Sequence, residues 1–279
     1  MNKLNIAYSP CPNDTFIFHA WTKGMIPGAP ELNVSFADID ITNNWAADGG
    51  GPEVMKISYA ALPWALQEYR LIPCGGALGR GCGPLVLTAD EATDPSQLTG
   101  KRVAVPSERS TAYLLFRLWA ADNVPGGVGN IEVMPFEQIM PAVRDGKIDA
   151  GLVIHEARFT YQEYDLHLMK DLGNWWEEDT GLPIPLGAIV AHRSLDADQV
   201  TKWVKDSLAY AWEDPRASES FVMEHAQEMS YDVAQSHIQL YVNEFSMDLG
   251  EEGYRAIREL LGRAANEGVI PPIDLNELK

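Results

Sequence analysis

Short strand-like runs alternate with helix-like runs over the first 195 residues, and this alternation limits what the chain can fold into. Nine runs are strand-like, and most of them are short, rich in β-branched residues and bounded by Gly, Pro or Asp. They are LNIAYS (4–9), LNVSFADI (32–39), VMKIS (54–58), PLVLTA (84–89), KRVAVP (101–106), NIEVMPF (130–136), DAGLVIH (149–155), LHLMKDL (166–172) and PLGAIVAH (185–192). Helical patterns such as SYAALPWALQEY lie between them, so the sequence predicts an α/β protein with largely parallel sheets.

After residue 195 the pattern changes to four successive amphipathic helices with no strand between them. These predicted helices occupy residues 196–212, 215–229, 230–245 and 250–268.

Two segments rich in Gly and Pro separate the middle of the chain from both ends. GGALGRGCGP (75–84) is interpreted as a flexible crossing into a middle lobe, and TGLPIPLGAI (180–189) as a crossing back. We therefore expect one lobe of residues 1–86 plus 190–279 and an inserted lobe of residues 87–189. Two α/β lobes joined by two strands form a cleft that can close around a small ligand.

The charge of the chain narrows the choice of partners. Lys and Arg number 21 against 40 Asp and Glu, which gives a net charge of −19. Such a surface repels nucleic acid and anionic membranes, so neither is an expected partner. An anionic ligand would have to be captured by local donors. We expect a cytoplasmic protein, because the N-terminus lacks the apolar region of a secretory signal and no apolar run approaches 18 residues.

Several common catalytic motifs are absent from the sequence. The three cysteines, Cys11, Cys74 and Cys82, form no CxxC pair, so we expect reduced thiols and no zinc site. No GxGxxG, GxxxxGK[ST], GxSxG or HExxH motif occurs. A nucleotide cofactor, a serine-hydrolase triad and a metalloprotease site are therefore all disfavoured.

A strand followed at once by a polar helix start recurs along the chain. The predicted caps and first-turn residues are Asn13 or Asp14, Ser58, Ser107 or Ser110, Thr111 and Glu156. The start of a helix has free N–H groups and a partial positive charge, so it binds anions readily. In open α/β sheets such starts gather at the carboxyl ends of the strands, where ligands bind. Each one is also explained by plain capping.

His155 ends the apolar strand AGLVI and should therefore face the cleft, where it is a candidate base. A buried histidine bonded to a backbone carbonyl is an equally good interpretation. The other histidines are predicted to be structural or at the surface, or have no evident role; they are His19, His167, His192, His225 and His237.

Three basic residues allow two interpretations each. Lys56, Arg80 and Arg158 are either anion-binding residues or side chains whose charged ends reach solvent. In the SPCPND turn, Ser9 and Asn13 are candidate substrate donors.

A cysteine and a tryptophan pair are also ambiguous. Cys11 is a possible nucleophile at a helix start, but a small packed thiol is the better interpretation because no partner base is visible. Trp175 and Trp176 could form an aromatic wall over a flat ligand or simply one face of an amphipathic helix.

Seven stretches of the chain together resemble the 1,4-dihydroxy-6-naphthoate synthase family. They run from about residue 4 to about residue 265 and comprise YSPCPNDTFIFHA, KISYAAL, GGALGRGCGPLV, STAY, GLVIHEARFTY, DLGNWWEEDTGLPIPLGAI and YVNEFSMDLGEEG. The resemblance implies a two-lobed, type II periplasmic-binding-protein-like fold. It also implies a lyase of menaquinone biosynthesis that needs neither metal nor organic cofactor.

The same resemblance implies a substrate and site residues. The substrate would be cyclic dehypoxanthinyl futalosine, a small aromatic anion, which is cleaved to 1,4-dihydroxy-6-naphthoate and a three-carbon fragment, expected to be dihydroxyacetone. By the family pattern His155 would accept a proton. The implied substrate contacts are Lys56, Ile57, Ser58, Thr111 and Ala112.

Two alternatives remain open at the sequence level. One is a non-catalytic solute-binding or ligand-sensing protein of the same fold. The other is chorismate dehydratase, a second enzyme of the same pathway, which eliminates water from chorismate. The sequence is compatible with a monomer or a homodimer.

Overall fold

The computed structural model describes residues 3–155, 157–226 and 230–278, which contain ten strands in two five-stranded sheets. The strands are β1 (Leu4–Tyr8), β2 (Leu32–Phe36), β3 (Val54–Ser58), β4 (Tyr69–Gly79), β5 (Leu85–Thr88), β6 (Val103–Val105), β7 (Ile131–Val133), β8 (Ala150–Val153), β9 (His167–Asp171) and β10 (Ile184–His192). The α-helices are α1 (Pro12–Thr22), α2 (Ile39–Asp48), α3 (Leu62–Ala65), α4 (Thr111–Asn123), α5 (Phe136–Arg144), α6 (Ala157–Thr160), α7 (Leu172–Thr180), α8 (Ala197–Glu213), α9 (Glu219–His225), α10 (Tyr231–Tyr241), α11 (Glu244–Met247) and α12 (Gly250–Asn266).

The two sheets repeat one design. The first has the order β2-β1-β3-β10-β4 and the second the order β7-β6-β8-β5-β9. In each sheet three neighbouring strands run parallel, and the fourth strand, β10 or β5, runs antiparallel to the third. Both sheets are therefore mixed rather than fully parallel. The parallel strands still place the starts of the following helices at one edge of each sheet.

All nine predicted strands are present, and each of the four helical regions predicted after residue 195 contains an α-helix. The tenth strand, β4, was missed because its second half is rich in glycine. Residues 75–79 of the supposed flexible crossing belong to this strand. A Cβ on Gly76 would lie 2.6 Å from the carbonyl oxygen of Gly187 in β10, so close strand packing explains this glycine. The connection proper is confined to residues 80–84.

The residues at which one lobe ends and the other begins stay a prediction. Residues 86/87 and 189/190, where the boundaries were placed, fall inside β5 and β10 respectively. β10, the last strand among the described residues, pairs with β3 and β4 and therefore belongs to the first sheet. Helices α8 to α12 follow it. In the described ranges no helix combines the length and the apolar character needed to cross a membrane.

The connection between β4 and β5 is held tightly against the start of α7. Arg158 donates from Nη1 to the carbonyl oxygen of Gly83 (2.7 Å) and from Nη2 to Oδ2 of Asp171 (2.5 Å). Asp171 also caps α7 by accepting from the backbone N–H groups of Gly173 and Asn174. Arg158 thus joins the β4–β5 connection to the start of α7, which gives this side chain a structural task.

The replacement Gly83→Ala is expected to destabilise the protein. A Cβ on Gly83 would lie 2.2 Å from the backbone nitrogen of Gly173, and backbone on both sides cannot yield as a flexible side chain would. We expect a loss of about 1–3 kcal/mol in the free energy of unfolding, measured by urea denaturation. Gly50→Ala is the matched control, because a Cβ there would have no neighbour within 4 Å. Equal stabilities of the two variants would contradict the tight fit at Gly83.

Candidate active site

A cavity lies where the carboxyl ends of parallel strands from both sheets meet. It holds about 630 Å³ of space between its walls, including the part open to solvent. Its lining comes from the ends of β1, β3 and β8, from the starts of α1, α2 and α4, from β4 and the connection that follows it, from β10 and from α10. The lining residues are Ser9, Asn13, Asp14, Ile39, Lys56, Ser58, Ala77, Cys82, Gly83, Pro84, Ser110, Thr111, Ala112, Ile154, His155, Leu186, Gly187, His237 and Tyr241. The predicted convergence of strand-to-helix junctions on one cleft is confirmed.

His155 lies in the turn after β8 with a backbone φ of 56°, in the left-handed region that non-glycine residues rarely adopt. This conformation is consistent with a functional role, because strained residues cluster at active sites. The ring packs edge-on against Phe136, with centroids 5.7 Å apart. The Sγ atom of Cys11 lies 3.6 Å from its Nδ1 atom. His155 is therefore held between the two sheets, with Cys11, in the turn that follows β1, as a partner across the cavity.

Cys11 has the partner that the sequence could not reveal. A thiol next to Nδ1 influences which ring nitrogen of His155 carries the proton. The thiol group also fixes the ring within the cavity. Cys82 also lines the cavity, and burial raises the pKa of its thiol to about 12, so this thiol stays protonated.

Cys11→Ala is expected to lower kcat by about tenfold and to leave the fold intact, since the change removes only a weak hydrogen bond that orients His155. The measurement is steady-state kinetics with the substrate proposed below. Cys74→Ala, outside the cavity lining in β4, is the control. A loss above a thousandfold for Cys11→Ala would instead indicate a covalent role for the thiol.

A buried ion pair forms the floor of the cavity. Lys56 Nζ contacts Asp14 Oδ1, and both side chains are only 3% exposed. Asn13 donates from Nδ2 to the same Oδ1 atom at 2.8 Å. Of the two interpretations of Lys56, the one in which its charged end reaches solvent is wrong, because the side chain is buried and paired with Asp14. Because Asp14 neutralises it, Lys56 contributes less net positive charge to the cavity than an isolated lysine would.

Helix α1 starts differently from the prediction. Its N-cap is Cys11 and its first residue is Pro12, so the predicted cap at Asn13 or Asp14 is wrong. Proline is favoured at this first position because its φ is already helical and its missing N–H would have no partner there. Ser9 lines the cavity and accepts from the backbone N–H of Cys11 at 3.1 Å. Its hydroxyl proton can therefore point toward a ligand.

Ser58 is oriented by Asn43, a residue with no distinguishing pattern in the sequence. Asn43, fully buried in α2, donates from Nδ2 to Ser58 Oγ (2.9 Å) and accepts from the backbone N–H of Ser58 (2.7 Å). Since the Ser58 oxygen accepts this bond, its hydroxyl proton can be donated to a bound ligand.

The start of α4 presents backbone donors to the cavity. Ser110 is the N-cap, as predicted for this position, and its side chain accepts from the backbone N–H of Tyr113. Thr111 and Ala112 line the cavity in the first turn. The Thr111 hydroxyl is already used: it donates to the carbonyl of Leu186 (2.8 Å) and accepts from the backbone N–H of Ala60 (3.2 Å). The groups that remain for a ligand here are thus the backbone N–H groups of Thr111 and Ala112.

Two predicted substrate contacts do not reach the cavity lining. Ile57 is fully buried in the core, because side chains alternate along β3 and its neighbours Lys56 and Ser58 take the cavity side. Arg80 lies at the surface, where it forms ion pairs with Glu177 and Glu252.

The tryptophan pair also lies elsewhere. Trp176 is buried and donates from Nε1 to the carbonyl of Pro183, while Trp175 packs against the same core. Neither lines the cavity. Glu156, the remaining predicted first-turn residue, lies outside the described residues.

His237 lines the cavity although its sequence context indicated a structural role. It lies on α10, and its ring is stacked with that of His155 at a centroid distance of 6.1 Å. Tyr241, one turn later, packs against it at 4.5 Å and also lines the cavity. The i, i+4 spacing of these two residues on one helical face was the only signal available in the sequence.

Among residues 3–155, 157–226 and 230–278 no three His, Cys, Asp or Glu side chains are grouped so that they could hold a metal ion. The expectation of a reaction without metal or organic cofactor stays a prediction.

Comparison with solved structures defines the class of fold. A crystal structure of a protein from Archaeoglobus fulgidus has a TM-score of 0.87 and 32% identity, covering 96% of this chain and 98% of that one. The periplasmic aliphatic sulphonate binding protein of Escherichia coli has a TM-score of 0.69 at 12% identity, covering 99% and 91% of the two chains. The protein has a periplasmic-binding-protein-like fold, as the sequence predicted.

Sequence comparison defines the family. The model of a family described as menaquinone biosynthesis matches residues 4–266. A 1,4-dihydroxy-6-naphthoate synthase of Streptomyces coelicolor is 65% identical over 273 residues, which are 97% of this chain and 95% of that protein. Another of Thermus thermophilus is 44% identical over 276 residues, or 98% and 97%. The chain belongs to this menaquinone biosynthesis family.

Proposed function

We propose that this chain catalyses the 1,4-dihydroxy-6-naphthoate synthase reaction in the cavity between its two sheets. It is a lyase of menaquinone biosynthesis that converts cyclic dehypoxanthinyl futalosine to 1,4-dihydroxy-6-naphthoate, with release of a three-carbon fragment expected to be dihydroxyacetone. The observation that carries this proposal is the 65% identity to a synthase of that name along 97% of the chain.

The geometry supports a binding mode for the anionic aromatic substrate. Its carboxylate is placed at the start of α4, where N–H groups near Thr111 and Ala112 and the helix dipole favour negative charge. The Ser58 and Ser9 hydroxyls are the nearby side-chain donors. These local donors capture an anion despite a net charge of −19, because short-range hydrogen bonds act where the field of the distant surface is screened.

The chemical step is assigned to His155. It takes a proton from a sugar-derived hydroxyl or from an acidic carbon of the substrate. In the hydroxyl case, the O–H electron pair forms a carbonyl, the adjacent C–C bond breaks, and its electron pair moves onto the ring fragment as an enolate. His155 then returns the proton to this enolate, and aromatisation of the ring fragment drives the reaction forward. One positioned base contributes about 10²–10⁴-fold to such a rate.

The cavity is suited to an intermediate of this kind. Apolar residues such as Ile39, Ile154 and Leu186 share its lining with the polar groups. Closure of the lobes around the substrate would exclude water from the enolate until the step is complete.

A parallel incubation separates this proposal from its alternatives. The chain is supplied with cyclic dehypoxanthinyl futalosine in one tube and with chorismate in another, without added cofactor. We expect naphthoate absorbance in the first and unchanged chorismate in the second. Tight binding of the first compound without turnover would favour a sensor, and dehydration of chorismate would favour the dehydratase.

The remaining parts of the proposal concern location and partners. We place the activity in the cytoplasm, in a monomer or homodimer with no nucleic acid or membrane partner. Cell fractionation and light scattering of the purified chain test these points.

A further inference from the structure

His237 is a polar side chain buried without a polar partner. It is 1% exposed, and neither Nδ1 nor Nε2 has a hydrogen-bond partner among the described residues. A buried imidazole with both nitrogens unpaired costs free energy, which an apolar side chain of similar size would avoid. Because the ring borders the cavity, a bound ligand is what can supply the missing partner.

The neighbours of His237 indicate which atom of a ligand would contact its ring nitrogens. The His155 ring stacks with the His237 ring, with the ring planes 15° from parallel, and the Tyr241 ring packs against His237 at a centroid distance of 4.5 Å. A substrate atom that contacts His237 is thus close to the atom from which His155 takes a proton. Lys56 is also near enough to influence the ring through its charge.

We propose that His237 is a second catalytic histidine, which donates a hydrogen bond from one ring nitrogen to the substrate oxygen that gains negative charge when the C–C bond breaks. This inference rests on the proposed function. The bond moves no proton: the N–H stays on the ring while the electron pair of the broken bond is delocalised onto that oxygen. The role is that of an oxyanion donor, distinct from the base role of His155.

The protonation state of His237 fits this task. Burial lowers the pKa of His237 well below its usual value, and the charges of His155 and Lys56 act in the same direction. The ring is therefore neutral near pH 7. A neutral imidazole has one N–H to donate and one lone pair, so it can serve as a hydrogen-bond donor without carrying a charge into the cavity.

His237→Leu removes both nitrogens and keeps much of the volume. We expect kcat to fall by about 10²–10³-fold, as for the loss of one oxyanion donor, with a smaller change in KM. The melting temperature should stay equal or rise, since no existing hydrogen bond is broken. His237→Gln, which keeps an N–H donor, should recover part of the lost kcat. His167→Gln, at an exposed position of β9, is the control and should match the wild type.

A second readout does not depend on turnover. Histidine ring ¹⁵N NMR of the wild type is recorded with and without 1,4-dihydroxy-6-naphthoate, and the His237 signal is identified by its absence in His237→Leu. We expect this signal to shift when the naphthoate binds. An unshifted signal would overturn the proposal, and so would His237→Leu with wild-type kcat or with a kcat loss matched by a large drop in melting temperature. A wild type that binds the naphthoate but does not turn over the substrate would overturn the proposed function, and the NMR result would still decide on His237.

Discussion

Replacing His155 with Asn is expected to lower the single-turnover rate of naphthoate formation by about 10²–10⁴-fold, because the change removes the proposed base. Asn suits this test better than Ala. His155 has a φ of 56°, and Asn is among the few residues that tolerate that region, so the turn after β8 should survive. The rate is measured with enzyme in excess over substrate, which separates chemistry from product release.

Binding and folding serve as controls for this variant. His155→Asn should bind 1,4-dihydroxy-6-naphthoate within a few-fold of the wild type and melt within a few degrees of it, since Ser9, Ser58 and α4 are unchanged. His167→Asn should retain the wild-type rate. A near-wild-type rate for His155→Asn would remove His155 from the chemical step while leaving the binding proposal standing.

The second large effect is expected on stability, from Lys56→Met. The change leaves Asp14 buried and without its cation, and breaking such a buried pair costs about 3–5 kcal/mol. The double variant Lys56→Met with Asp14→Asn should recover much of this loss, because neither remaining side chain is charged. The free energy of unfolding is measured by urea denaturation.

A surface pair on α8 provides the comparison. Lys202 and Asp206 also form an ion pair, but their side chains are 60% and 40% exposed. Lys202→Met should therefore change the free energy of unfolding by less than about 1 kcal/mol. Equal effects of Lys56→Met and Lys202→Met would contradict the view that the cavity floor depends on the buried pair.

The architecture could be predicted to a large extent because its elements are locally encoded. Alternating β-branched runs specify strands, and apolar spacing specifies the helices after residue 195. β4 was not predicted as a strand because its glycines are needed for tertiary contacts. Gly76 makes room for a carbonyl of β10, and Gly75 makes room for Val204 of α8, which a Cβ would approach to 2.7 Å. Sequence alone could not distinguish such packing from flexibility.

The sequence could predict those residues of the site that lie at or near the ends of strands. Ser9, Ser58 and His155 follow or end parallel strands, and Lys56 lies two residues before the end of β3, so their convergence follows from topology.

Residues that reach the cavity from elsewhere gave no local signal. His237 is delivered by α10, far along the chain from His155, and Asn43 acts on Ser58 from the interior of α2. Whether such residues meet depends on how helices pack around the sheets. The pairing of Cys11 with His155 likewise joins positions 144 residues apart.

The mass balance of one reaction tests the proposed activity most directly. The purified chain is incubated with cyclic dehypoxanthinyl futalosine alone, and both products are identified and quantified by mass spectrometry. We expect one equivalent of 1,4-dihydroxy-6-naphthoate and one of dihydroxyacetone for each substrate consumed. Substrate that is bound but recovered unchanged would contradict the proposed activity.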